Sequence, residues 1–207
     1  NNRLMPSLSL KVAAEILNSD ILVEFDKQGI QAIDLIDRDD ETKVLKIPTD
    51  PTSRGRLLIN YRGPKETVPY FSFADAYNNS FSDQELEKLK GSYLLLGATA
   101  IGINDQRPNP FDPTFDGVEI HANVIDNILS KDFMKRPETM FVTELFILLI
   151  LGLIFAPIMI WSRAMFSGLL VTLFCFGFYY FDKIFWFEKG IWAYMGMPLL
   201  QIIALFI

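Results

Sequence analysis

The sequence predicts an α/β domain over residues 1–138, with a mixed, mainly parallel sheet flanked by helices. An all-α bundle of three transmembrane helices is predicted to follow over 139–207. Three observations lead there. Charge is divided unevenly: sixteen Lys/Arg and twenty-two Asp/Glu precede Thr139, and only three of each follow. Hydropathy divides at the same place, because the second part consists of long apolar runs with short polar breaks. In the first part, short runs of alternating hydrophobicity are interleaved with helical repeats, and the last of them, SYLLLG, is continuously apolar. A short apolar run bounded by glycine suits a strand buried on both faces of a sheet covered by helices.

In chain order, Pro6 and Ser7 open a predicted helix LSLKVAAEIL, in which Leu8, Val12 and Ile16 recur at helical spacing and Lys11 and Glu15 share an exposed face. ILVEFDKQGIQAIDLI reads as two extended pieces about a turn at Gly29. DRDDET is a charged loop, and VLKIP a further short strand. The DRDD carboxylates lack the glycine and distal glutamate of a calcium loop, so a surface turn is the reading taken. RLLINYRGP alternates from Leu57 to Tyr61 and stops at Gly63-Pro64, which describes a strand ending in a polar turn. At that end Arg62 is a candidate for an anionic ligand or for pairing with a carboxylate of the domain. Ser72 with Asp75, and Ser82 with Glu85, mark two helix starts. The second pair has the spacing of a capping box, and Gly91 closes that helix.

After SYLLLG, the stretch ATAIGINDQRPNPFDPTFDG is too polar and too rich in proline for regular structure. A long loop between a strand and a helix is where α/β proteins commonly place sites. Its ionisable residues are Asp105, Arg107, Asp112 and Asp116, able to bind a metal or small molecule or simply to pin the loop. Gly117 then admits the helix VEIHANVIDNILSK. Val118, Ala122, Ile125 and Leu129 form its apolar stripe, flanked by His121, Val124 and Ile128, while Glu119 and Asn123 share a more polar face. His121 thus points with the apolar residues, as a hydrogen-bonded structural histidine does. No nucleophile motif, Cys/His pair, metal-spaced histidine set or phosphate-cradling loop accompanies it, so no catalytic residue, metal ligand or cofactor is assigned. The acidic balance and the lack of clustered Lys/Arg argue against a nucleic-acid partner. The single cysteine, Cys175, excludes an intrachain disulfide.

Membrane spans are expected at about 139–161, 164–181 and 190–207. Pro157 lies inside the first, SRA separates the first two, and DKIFWFEKG is an aromatic, charged turn of the kind found at headgroup level. The last run is still apolar at Ile207. KDFMKRP, ahead of the first span, carries three positive charges and the SRA turn one. That distribution opposes the positive-inside rule if the first part lies outside the cell.

PSLSLKVA, RGRLLINYRGP, YLLLGATAIGINDQRPNPF and DGVEIHANVIDNIL, in that order and followed by three apolar runs, resemble the second type of CHASE domain. This is an extracellular sensory module associated with cyclases and histidine kinases. Family-pattern positions fall on Asn60, Tyr61, Arg62, Gly63, Gly97, Asp105, Pro110, Gly117, Glu119, His121, Ala122 and Asn123. The resemblance implies a span and more of the sensory domain before Asn1, and a cytoplasmic effector beyond Ile207. It also implies residence in a bacterial inner membrane as a multi-pass protein, with the sensory domain periplasmic or extracellular and sensing an unidentified ligand or protein. The expected effector is a class III adenylate cyclase, with a histidine or serine/threonine kinase as the alternative, and either implies a homodimer. An accessory subunit of a membrane complex is the competing class. Arg62, Asp105, Glu119, His121 and Asn123 are the ligand-binding or signalling candidates.

Overall fold

The structure is a computed structural model that describes residues 5–25, 29–49, 55–99, 105–137 and 139–206, with the side chain of Ala164 excepted. The chain forms two compact units, one of residues 1–22, 35–45 and 59–132, the other of 23–34, 46–58 and 133–207.

Helix α1 (Leu8–Ile16) starts at Ser7, whose hydroxyl accepts the Leu10 N–H, and Lys11 and Glu15 pair across one turn at 2.6 Å. Its buried face is Ser9, Leu10, Ala13 and Ala14, not the larger aliphatics Leu8, Val12 and Ile16 that the spacing suggested. The reason is the partner: α1 packs against α4 (Gly117–Ser130), and small residues let two helices approach closely. Leu10, Ala13, Ala14, Leu35, Phe115, Ile125 and Ile128 make the core of this unit.

Strands β1 (Ser19–Phe25), β2 (Ile30–Asp37) and β3 (Val44–Pro48) form a three-stranded sheet in chain order. Asp37 Oδ1 accepts the N–H groups of Asp39 and Asp40, so the DRDD acids serve the β2–β3 turn. Helix α2 (Phe73–Asn78) begins at Ser72 and α3 (Asp83–Leu89) at Ser82, where the Ser82/Glu85 capping box is present in both directions. Within the loop that precedes α4, β4 (Gln106–Arg107) pairs antiparallel with β5 (Phe115–Asp116).

Two expectations about the sheet are corrected. The sheets are small and antiparallel, not mainly parallel. Parallel neighbours need a crossover of about a dozen residues or more, and the connections at 26–29 and 38–43 are too short to supply one. SYLLLG is irregular and pairs with no strand among the described residues, and Tyr93, Leu94 and Leu96 are exposed. An apolar run becomes a buried strand only where a ladder partner meets it. The strand expected from Leu57 to Tyr61 is likewise absent, and in its place is irregular chain with an isolated bridge between Leu58 and Met134.

In the other unit, α5 (Met140–Trp161) and α6 (Ala164–Phe185) are helices of 22 residues each, and two helical stretches are long and apolar enough to cross a bilayer. The third expected span is an apolar helix of 11 residues, α7 (Gly196–Phe206), preceded by irregular chain. At about 1.5 Å per residue its described residues cover roughly half of a hydrocarbon core about 30 Å thick, and this third span was expected to be cut short at Ile207. Gly190 closes the preceding turn with a positive φ, and residues 190–192 are engaged elsewhere, as described below. The three helices pack on one another. Gly152 of α5 faces Gln201 of α7, whose Nε2 donates to Leu148 O at 3.0 Å, and a Cβ on Gly152 would lie 2.7 Å from that nitrogen.

Candidate functional site: the polar face of α4

Helix α4 carries Glu119, Asn123 and Asn127 at four-residue spacing, and all three are buried, at 1%, 1% and 0% exposure. Four-residue spacing puts them one above another on a single face. That face receives the segment from Asn60 to Tyr70. The Asn127 amide meets the backbone of Asn60 twice: its Oδ1 accepts the Asn60 N–H at 2.8 Å and its Nδ2 donates to Asn60 O at 2.9 Å. One turn earlier, Asn123 Oδ1 accepts the Arg62 N–H at 2.9 Å, while Asn123 Nδ2 is anchored to Glu119 O at 2.8 Å. At the next turn the Glu119 carboxylate accepts the N–H groups of Glu66 and Val68, and Tyr70 Oη donates to it at 2.9 Å. Side chains of a helix therefore supply the hydrogen bonds that a neighbouring strand would otherwise give. Buried peptide groups must find partners, and those of Asn60 and Arg62 find them here without a sheet.

Side chains of the same segment fix both ends of α4. At the amino-terminal end, Tyr70 Oη lies 3.1 Å from Asp116 and Lys65 pairs with the same Asp116 oxygen at 3.0 Å. Asp116 is 1% exposed, and its Oδ1 has no hydrogen-bond partner among the described residues. Burial and the neighbouring carboxylates push the Tyr70 hydroxyl above its ordinary range, and the bond to Asp116 raises the Lys65 ammonium. Both groups stay protonated at neutral pH and act as donors. At the carboxy-terminal end, the Arg62 guanidinium binds Asp126 at 2.5 Å, Ser130 at 2.8 Å and Asp132, and Asn60 Nδ2 donates to Asp132 at 3.0 Å. The bond to Asp132 raises the guanidinium further, burial opposes this, and Asp126 adds to the rise. Between the two ends, Tyr61 packs edge-on against Phe115 at 5.7 Å.

Arg62, Glu119 and Asn123 thus belong to one hydrogen-bonded array. Asp105 lies beside its start: its carbonyl accepts the Gly117 N–H at 2.8 Å, and a Cβ on Gly117 would fall 2.6 Å from the Asp105 carboxylate oxygens. Gly97 is needed in a similar way, since a Cβ there would come within 2.4 Å of Val118. His121 stands apart from the array, half-buried, with Nδ1 2.7 Å from the hydroxyl of Ser9 on α1. Its tie is between helices, as its place among apolar residues suggested. Glu119 and Asn123 do share the more polar face of α4, and that face is interior. Asp116 was named among the ionisable residues of the loop, and it pins the start of α4; Asn127, Tyr70 and Lys65 were not recognised in the sequence. Continuing the Glu119–Asn123 spacing by one turn finds Asn127, but no sequence signal identifies the other two.

The arrangement holds backbone and joins helix ends. Among the described residues no group of three His, Cys, Asp or Glu side chains is disposed to hold a metal ion. Comparison with curated proteins and with solved structures gives no match. The family model of the CHASE2 domain, by contrast, matches residues 1–159, which include the whole array and most of α5. The chain belongs to the CHASE2 family, the extracellular sensory domains of signalling receptors.

Proposed function

We propose that this chain is the sensory and membrane-anchoring part of a receptor that regulates a cytoplasmic class III adenylate cyclase, with a histidine or serine/threonine kinase as the alternative effector. On this reading the sensory part lies on the periplasmic side of a bacterial inner membrane. α5, α6 and a span beginning at α7 connect it to the effector, and the receptor works as a homodimer. The observation that supports it best is the treatment of the carboxy-terminal end of α4. Asp132 is held by Asn60 and Arg62, and only seven residues, 133–139, separate it from α5. A shift of the 60–70 segment on α4 therefore has a short route to the membrane. A stimulus acts by binding more tightly to one of two positions of that segment, since only differential affinity moves an equilibrium.

The test is effector output in cells that carry the full-length receptor. Arg62→Ala, Asp105→Ala and His121→Ala are compared with the parent, with membrane insertion checked in each. Cyclic AMP identifies the cyclase and phosphotransfer a kinase. A change in basal or stimulated output for Arg62→Ala is the expected result. Unchanged output in all three correctly inserted variants would refute the reading.

A further inference from the structure

Residues 133–136 lie outside regular secondary structure, yet they are tied on two sides. Met134 forms an antiparallel bridge with Leu58, and Lys135 a parallel bridge with Ile191. In the second, the Lys135 N–H donates to Gly190 O at 2.8 Å and Lys135 O accepts the Trp192 N–H at 3.0 Å. Side chains repeat the tie. The Arg136 guanidinium lies 4.0 Å from the centre of the Tyr194 ring and 5.3 Å from that of Trp192, and its Nη2 donates to Glu144 of α5 at 2.7 Å. The other Glu144 oxygen accepts the Tyr194 N–H at 2.8 Å. With both oxygens engaged, the carboxylate holds Arg136 and Tyr194 to one another and both to α5. Arg136 and Glu144 are each largely buried, where such bonds are stronger than in water.

We infer that residues 133–136 are a branch point, through which a displacement at Leu58 reaches α5 and, independently of α5, the connection between α6 and α7. A segment bridged on both sides moves its neighbours with it, whereas a bare linker would move only the helix it leads into. The branch gives the proposed receptor a second lever on its membrane helices, and in that respect it rests on the functional reading above. Its physical content does not depend on any effector.

Hydrogen exchange of the full chain in lipid nanodiscs tests it at single amides. Leu58→Pro disturbs the backbone at the Leu58–Met134 bridge, because proline has no N–H and fixes φ. Exchange at Trp192 and Tyr194 is expected to quicken about tenfold, the scale of losing one to two hydrogen bonds, while α1 and α4 keep their protection. Acceleration confined to Leu58 and Met134 would overturn the branch. Glu144→Gln runs the same linkage in reverse, which thermodynamics requires to be reciprocal, and so serves also if Leu58→Pro does not fold. It should quicken Lys135 and Met134, and an effect on Tyr194 alone would count against the inference. Gly190→Ala is a third probe, because its Cβ would lie 2.6 Å from Phe133 O and would force the two segments apart without touching Leu58. Unaltered effector output alongside propagated exchange would reject the receptor reading and leave the branch standing.

Discussion

Replacing Asn127 by leucine isolates the contribution of the side-chain ladder. Leucine nearly matches asparagine in shape and keeps the α4 helix, but it removes an acceptor 2.8 Å from the Asn60 N–H and a donor 2.9 Å from Asn60 O. The Asn127 side chain is fully buried, so both peptide groups of Asn60 lose their partners where water does not readily replace them. Each stranded group costs about 1–3 kcal/mol, and the gain from apolar burial offsets part, leaving a loss of about 2–4 kcal/mol. That is a large fraction of a typical domain stability of about 5–15 kcal/mol. A urea titration in nanodiscs, followed by pulse proteolysis, should show a midpoint lower by about 1–2 M. The Asn60 amide should lose its exchange protection. Asn127→Asp sharpens the test: it keeps the acceptor but sets a second oxygen against Asn60 O. Protonating that carboxyl restores a donor, so stability lost at pH 7 returns in part as pH falls toward 5. An Asn127→Leu protein within about 0.5 kcal/mol of the parent, the range of inert surface changes, would refute the ladder as a source of stability.

Further outcomes follow from other contacts. Arg62→Lys keeps the charge but loses the planar fork that serves Asp126, Ser130 and Asp132 together; amides at 130–132 should exchange several-fold faster with little change at Asn123. The Arg38 guanidinium, then Lys11, hold Glu15 down at about 2. Its folded value is depressed, so its stabilising effect is complete above the ordinary carboxylate range and disappears as pH falls through about 4.5 to about 2. Thermal melts of Glu15→Gln should lack that limb. Asp34 behaves oppositely, because burial and then the Glu24 charge raise it. Its unfavourable contribution grows as pH rises through the raised value, so Asp34→Asn should gain stability relative to the parent at pH 7 but not at pH 4. In the membrane part, Gly152→Ala displaces Gln201 from Leu148 O. The loss should be about 1 kcal/mol by detergent-unfolding titration, and it should vanish when Gln201 is already alanine.

Local signals were the most legible. The Ser7 start of α1, the Ser82/Glu85 box and the span of α4 depend on neighbours within one or two turns, and each stands where the sequence indicates. The apolar lengths of α5 and α6 need no partner to be read either. What failed required knowledge of a distant surface. Leu8 and Val12 were favoured over Ala13 and Ala14 because size is visible in a sequence and close helix approach is not. SYLLLG was given a buried place because its composition suits one, yet burial depends on a pairing that composition cannot encode. The candidate site shows the same division. Glu119 and Asn123 were found as a pair on a more polar face, with nothing nearby in the sequence to show that this face is buried. Their burial follows from what Asn60 to Val68 need, sixty residues earlier in the chain.

The bonding of Asn60 and Arg62 to side-chain amides also bears on reversibility. A strand that leaves a sheet strips its neighbour of backbone partners and unravels the ladder. When the 60–68 segment leaves α4, the helix keeps every backbone bond, and the exposed groups are two amides and a carboxylate that water solvates readily. The energy of detachment is therefore set by a few side chains, and reattachment needs no refolding. A surface of this kind can work as a latch, whose strength evolution can adjust one residue at a time without endangering the helix that carries it.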